Sequence, residues 1–143
     1  MSGATMREVL LHGDAGEAFD RSVAFARQLA EAFGGRLHIV YTLADPLAAG
    51  WTAEMAAERL PEMHQAIEEE ALERLSRVIP AADQERLGIE LVIRTGPPEQ
   101  EVVRYANEHP IDLAIVHAPV AAGRSGLANA LLESARCAVL VLR

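Results

Sequence analysis

Asp112-Leu113-Ala114-Ile115-Val116-His117-Ala118-Pro119-Val120 decides how this chain folds. Residues 111–116, apolar but for Asp112, have the length and hydrophobicity of a buried fourth strand, and a loop follows it. Such strands belong to parallel sheets covered by helices on each side. In those sheets the ligand crevice lies beyond the carboxyl ends of the strands, where strand order reverses. The loop after Val116 is therefore a candidate crevice wall, and it starts without a glycine.

Toward the C-terminus, Leu127, Leu131 and Ala135 keep helical register over residues 127–135, and Ala138-Val139-Leu140-Val141-Leu142 reads as a last strand. Toward the N-terminus, Gly96-Pro97-Pro98 turns the chain into a helix over residues 99–107, with Val102, Val103 and Ala106 inward and acidic residues in the first turn. Residues 89–94 alternate more strictly than the other strands, which suits an edge with one wetter face. Pro61 opens a helix in which Met63, Ile67, Ala71, Leu75 and Val78 form one apolar line. Glu68, Glu69, Glu70 and Glu73 oppose it as a solvated face, with Glu70 and Arg74 spaced for an ion pair. Residues 46–60 stay open between a short helical turn over 53–60 and a mobile flap. Trp51 and Met55 either cap the core or form a partner surface.

Residues 37–43 are rich in β-branched and aromatic side chains and read as the second strand. Before it, Phe19, Val23, Ala26, Ala30 and Phe33 stripe a helix over residues 17–33 that Gly34 stops. Val9-Leu10-Leu11-His12 forms a first strand ending in the turn Gly13-Asp14-Ala15-Gly16. Helices alternate with strands throughout, which implies an α/β parallel sheet with right-handed crossovers and helices on both faces.

The 143 residues fit one domain, 1–143, able to bury a core without disulfides or metals. A net charge of -8 argues against nucleic acid or an anionic membrane as partner, since both are held mainly by basic faces. No apolar run approaches the roughly 18 residues of a membrane span, and no secretory signal is visible, so a cytoplasmic location is expected. Cys137 is the single cysteine and is read as an inert, buried thiol.

The order of Val9-Leu10-Leu11-His12-Gly13-Asp14, Thr95-Gly96-Pro97-Pro98-Glu99, Asp112-Leu113-Ala114-Ile115-Val116 and Cys137-Ala138-Val139-Leu140-Val141 resembles the universal stress protein family over nearly the whole chain. The resemblance implies a Rossmann-like, five-stranded parallel sheet in order 3-2-1-4-5, homodimers joined through the last strand, and a role in stress survival. Some members of the family bind ATP and others do not. In those that do, an acidic residue matching Asp14 contacts the adenosine, and two glycines after the fourth strand precede a Gly-Ser or Gly-Thr pair at the last helix. Here His117 and Val120 stand at the two glycine positions, and the spacer beyond them is shorter.

Backbone N–H groups wrap a phosphate only where side chains are absent and positive φ is allowed. His117 and Val120 obstruct that approach, and Pro119 removes a donor. Gly123-Arg124-Ser125-Gly126, just before a helix, is what remains for an anion, through Ser125 and the helix dipole; the plainer reading is a loop with Ser125 as N-cap. Asp14, Gly123, Arg124, Ser125 and Gly126 are thus the candidate nucleotide contacts, with ATP the candidate ligand. Val139, Leu140, Val141 and Leu142 are the candidate dimer interface, because an apolar edge strand invites pairing about a two-fold axis.

His12, Asp14 and His117 lie at the tips of strands one and four and form an alternative metal or acid-base cluster, against a reading as hydrogen-bonded loop residues. His38, His64 and His109 are read as structural or exposed, and Ser22 follows no nucleophile pattern. Three functions compete: a non-enzymatic stress-family domain acting as a homodimer or through a regulatory partner, with little or no ATP affinity; a nucleotide-binding sensor; and a small enzyme or metal protein. The first is the preferred expectation.

Overall fold

In the computed structural model, residues 6–13, 18–117 and 126–143 are described. They form β1 (Glu8–His12), α1 (Ala18–Phe33), β2 (Arg36–Leu43), α2 (Ala53–Val78), α3 (Ala81–Arg86), β3 (Glu90–Thr95), α4 (Pro98–Glu108), β4 (Leu113–His117), α5 (Gly126–Ser134) and β5 (Ala138–Leu142). The strands make one five-stranded sheet in the order β3-β2-β1-β4-β5. Every neighbouring pair is parallel. Chain order reverses between β2-β1 and β1-β4, so the switch point falls between the tips of β1 and β4.

The period of two along each strand divides the core into two layers. Val9 and Leu11, Leu37 and Ile39, and Leu113 and Ile115 pack with Phe19, Val23, Ala26 and Ala30 of α1 and Leu75 of α2. Their alternates Leu10, Val40, Ala114 and Val116 pack with Val102, Tyr105 and Ala106 of α4 and Leu127 and Leu131 of α5. Continuous apolar strands are the consequence of being covered on both faces.

Asp112 ties the amino ends of three strands together. Its Oδ2 accepts from the backbone N–H of Arg7 and of Glu8, both at 2.9 Å. Its own N–H donates to the Glu8 carbonyl at 2.8 Å, and its carbonyl accepts from Ala138 at 3.1 Å. The aspartate that introduces the deciding stretch thus sets β4 between β1 and β5.

Two elements depart from the expectation. Helix α2 starts at Ala53, capped by Thr52 Oγ1, which accepts from the Met55 N–H at 3.2 Å, and it runs unbroken through Pro61. Proline at that position removes the bond to the Ala57 carbonyl, and Ala57 is exposed, so water can satisfy that oxygen. Residues 53–60 are therefore a helix continuous with the next segment. A short helix, α3, also precedes β3, where Asp83 forms an ion pair with Arg27 of α1 at 2.6 Å.

Candidate ligand crevice

At the carboxyl ends of the strands, the β1–β2 ladder continues one step past the strand, with the Gly13 N–H donating to the Val40 carbonyl at 2.8 Å. There His12 Nε2 and Thr42 Oγ1 are hydrogen-bonded at 3.1 Å, joining the two tips. A side chain on Gly13 would place its Cβ 2.6 Å from the Tyr41 ring, so the chain can leave β1 along this path only without one. The Tyr41 ring is in turn tilted against Phe19, with centroids 5.7 Å apart. The guanidinium of Arg74 lies 5.8 Å over Phe19.

Two hollows open from these tips. One, of about 350 Å³, is lined by His12, Gly13, Tyr41 and Thr42 on the sheet and by Ile67, Glu70, Ala71 and Arg74 on α2. The other, of about 650 Å³, lies between the two loops that follow β2 and β3 and is lined by Thr42, Ala44, Asp45, Ala48, Ala49, Gly96, Pro97 and Pro98. Thr42 borders both. Asp45 holds its loop by accepting from the Leu47 N–H at 2.9 Å, and the Gly96 N–H extends the β2–β3 ladder to the Leu43 carbonyl at 2.8 Å. His64 Nε2 and Thr95 Oγ1, hydrogen-bonded at 3.0 Å, fasten α2 to the tip of β3. Volumes of this order suit small molecules, and the linings mix apolar walls with a few polar groups.

Of the candidate nucleotide contacts, Gly126 is the first residue of α5, whereas Asp14, Gly123, Arg124 and Ser125 lie outside the described residues. His12 and His117 end adjacent strands, β1 and β4. Among the described residues no group of three or more His, Cys, Asp or Glu side chains is placed to hold a metal ion. Val139 to Leu142 form most of β5, which among the described residues is an edge strand paired only with β4. Cys137 is half-buried, and burial raises its thiol pKa above the ordinary value.

Sequence reasoning did not find Thr42 or the α2 residues of the smaller hollow, because β2 and α2 bring them together from distant parts of the chain rather than through a local motif. It also passed over a polar cluster at the opposite end of the sheet. His38 is buried there, with Nδ1 2.7 Å from the Tyr105 hydroxyl and Nε2 3.1 Å from Glu8 Oε2. The Tyr105 ring stacks on His109 at 3.8 Å. Burial, then the charges of Glu90 and Glu8, push the Tyr105 hydroxyl up to about 12 against the opposing pull of Arg94. This cluster sits at the amino ends of β1, β2 and β3, away from the crevice, and serves to hold those ends to α4.

An open parallel sheet, wound on both faces and reversing at β1 and β4, with hollows at its strand tips, defines a small doubly wound domain of the ligand-crevice class. The model of the universal stress protein family matches residues 6–143, and the chain belongs to that family. Among solved structures, the universal stress protein UspA from Lactobacillus plantarum superposes with a TM-score of 0.75 at 21% identity, over 99% of this chain and 100% of that one. A universal stress protein solved in complex with cAMP gives 0.68 at 21% identity, over 98% of each chain. One from Archaeoglobus fulgidus, in complex with dAMP, gives 0.58 at 18% identity, over 96% of this chain and 98% of that one. No curated protein sequence matches the chain. Among the described residues, no helix is long and apolar enough to cross a membrane.

Proposed function

We propose that this chain is a non-catalytic stress-response domain that works as a homodimer joined through β5, with weak or no affinity for ATP, and that it acts by presenting that dimer to a regulatory partner. The observation that carries this reading is the contrast between the two edges of the sheet. The β3 edge is guarded by Glu90 and Arg94, and inserted charges are a device that prevents strands from adding to a sheet. Across Ala138 to Leu142 the β5 edge has no charge at all, and Val141 on it is 38% exposed. An antiparallel copy about a two-fold axis would satisfy the open backbone and bury these side chains.

Leu140 packs against the core on the α1 side, so its replacement would test folding as much as assembly. Val141 is the cleaner probe. Val141→Lys is expected to shift the protein from dimer to monomer in sedimentation velocity while leaving its circular dichroism unchanged. An unaltered dimer would remove β5 from the interface.

The weak-affinity part of the reading draws on His117, which ends β4 where a phosphate-wrapping loop needs a glycine, and on the net charge of -8, which repels polyanions. The second reading is a nucleotide sensor using Asp14 and Gly123, Arg124, Ser125 and Gly126. It is favoured by the two relatives solved with cAMP and dAMP. Affinity for ATP separates the two.

A further inference from the structure

Helix α1 carries a second apolar line besides the one that fills the core. Phe19, Val23, Ala26 and Ala30 are buried, whereas Phe25, Leu29 and Phe33, spaced four apart, form a ridge beside them. Leu29 rests partly on the core, but Phe25 and Phe33 are 40% and 51% exposed. The flank of α1 toward α2 and α3 is occupied, because Arg27 pairs with Asp83 and donates to the Val78 carbonyl. The ridge lies on the other flank, toward β5. Arg21, one turn before Phe25 on the same line, donates to the carbonyl of Arg143, the residue that follows β5. Leu140 and Leu142 of β5 pack against the same core layer as Leu29. The apolar surface of the open strand is thus continued by α1.

Strand pairing alone buries too little to hold two copies together. The five residues of β5 make a ladder about 17 Å long, and the strip it closes is a small part of the roughly 800 Å² per partner that a stable interface buries. The surface beside the strand has to supply the rest. With two β5 strands antiparallel about a two-fold axis, both α1 helices keep to the same face of the joined sheet, and each ridge overhangs the other copy's strand. The side chains of that strand on this face are Leu140, Leu142 and the small, exposed Ala138, which leaves room for an aromatic ring.

We propose that the Phe25, Leu29 and Phe33 ridge is the second half of the homodimer interface, packed over Ala138, Leu140 and Leu142 of a second copy. The inference rests on the β5 dimer read above and says what that dimer buries besides the strand edge.

The test measures dimer dissociation by sedimentation equilibrium for the wild-type chain, Phe25→Gln, Phe33→Gln and Leu72→Gln, with circular dichroism as the check on folding. Leu72 is 42% exposed on α2, so its variant removes a comparable apolar side chain away from β5. Phe33 closes its helix, so Phe33→Gln reads the interface even where Phe25→Gln loosens the fold. Each substitution acts twice in a two-fold dimer. Both ridge variants are expected to raise the dissociation constant at least about tenfold, with Leu72→Gln within about twofold of wild type. A wild-type constant in both ridge variants, or equal weakening by Leu72→Gln, would overturn the proposal. If Val141→Lys splits the dimer while the ridge variants leave it intact, β5 stands and the ridge alone is refuted. A wild-type chain that stays monomeric through about 100 μM removes the dimer itself, and both readings with it.

Discussion

Asp112 shows how much one side chain contributes at a strand start. It accepts two backbone hydrogen bonds, and Asp112→Ala would strip the Arg7 and Glu8 amides of that partner. A loss of about 2 kcal/mol is expected, read as a lower urea midpoint with an unchanged slope. Tyr105 makes a prediction in pH. Its hydroxyl is kept neutral in the fold up to about 12 against an ordinary value of 10.0, so the native state holds a proton that the unfolded chain releases earlier. The contribution is whole below about pH 10 and disappears as pH rises to about 12. Stability should therefore fall across that window, and Tyr105→Phe should flatten the fall; an equal slope in the variant would assign the loss elsewhere. Neither role was legible in the sequence, where Asp112 is only the polar residue before a strand and Tyr105 only one side chain of a short helix. Gly13 was legible as a turn, but its contact with the Tyr41 ring depends on the pairing of β1 with β2.

At the scale of elements, strands were read more exactly than helix starts. An apolar run four or five residues long declares itself, and β5 has the bounds its sequence suggests. The start of α2 was hidden because proline is favoured at a first helical turn, so Pro61 outweighed the weaker signal of Thr52, nine residues earlier and just ahead of an acidic, alanine-rich stretch. Exposure explains why the proline is tolerated where it stands. Thr52→Ala should lower stability by about 1 kcal/mol through loss of the cap, with residues 53–60 gaining hydrogen exchange before the rest of α2. Uniform exchange along the helix would show that packing, not the cap, holds its first turns. Helix α3 was missed for a different reason: six residues, none of them buried, leave no periodic stripe to read.

For the whole molecule, the alternation of strands and helices was enough to give a parallel sheet, and the resemblance supplied the strand order that the structure has. What the sequence left undetermined was which residues converge at the strand tips. Thr42, Glu70 and Arg74 meet there only because α2 packs beside α1 on one face of the sheet, and Glu99 comes near Gly126 only because α4 and α5 lie side by side. The molecule that results has an uncharged, open edge at β5, while a histidine ends β4 beside the crevice and a glutamate stands at the start of α5. The function proposed for it is accordingly assembly rather than the holding of a nucleotide. Calorimetric titration of the wild-type chain with ATP and magnesium decides this most directly. No saturable heat in the micromolar range is the expected result; micromolar binding that Asp14→Ala abolishes would contradict the account and make the chain a nucleotide sensor.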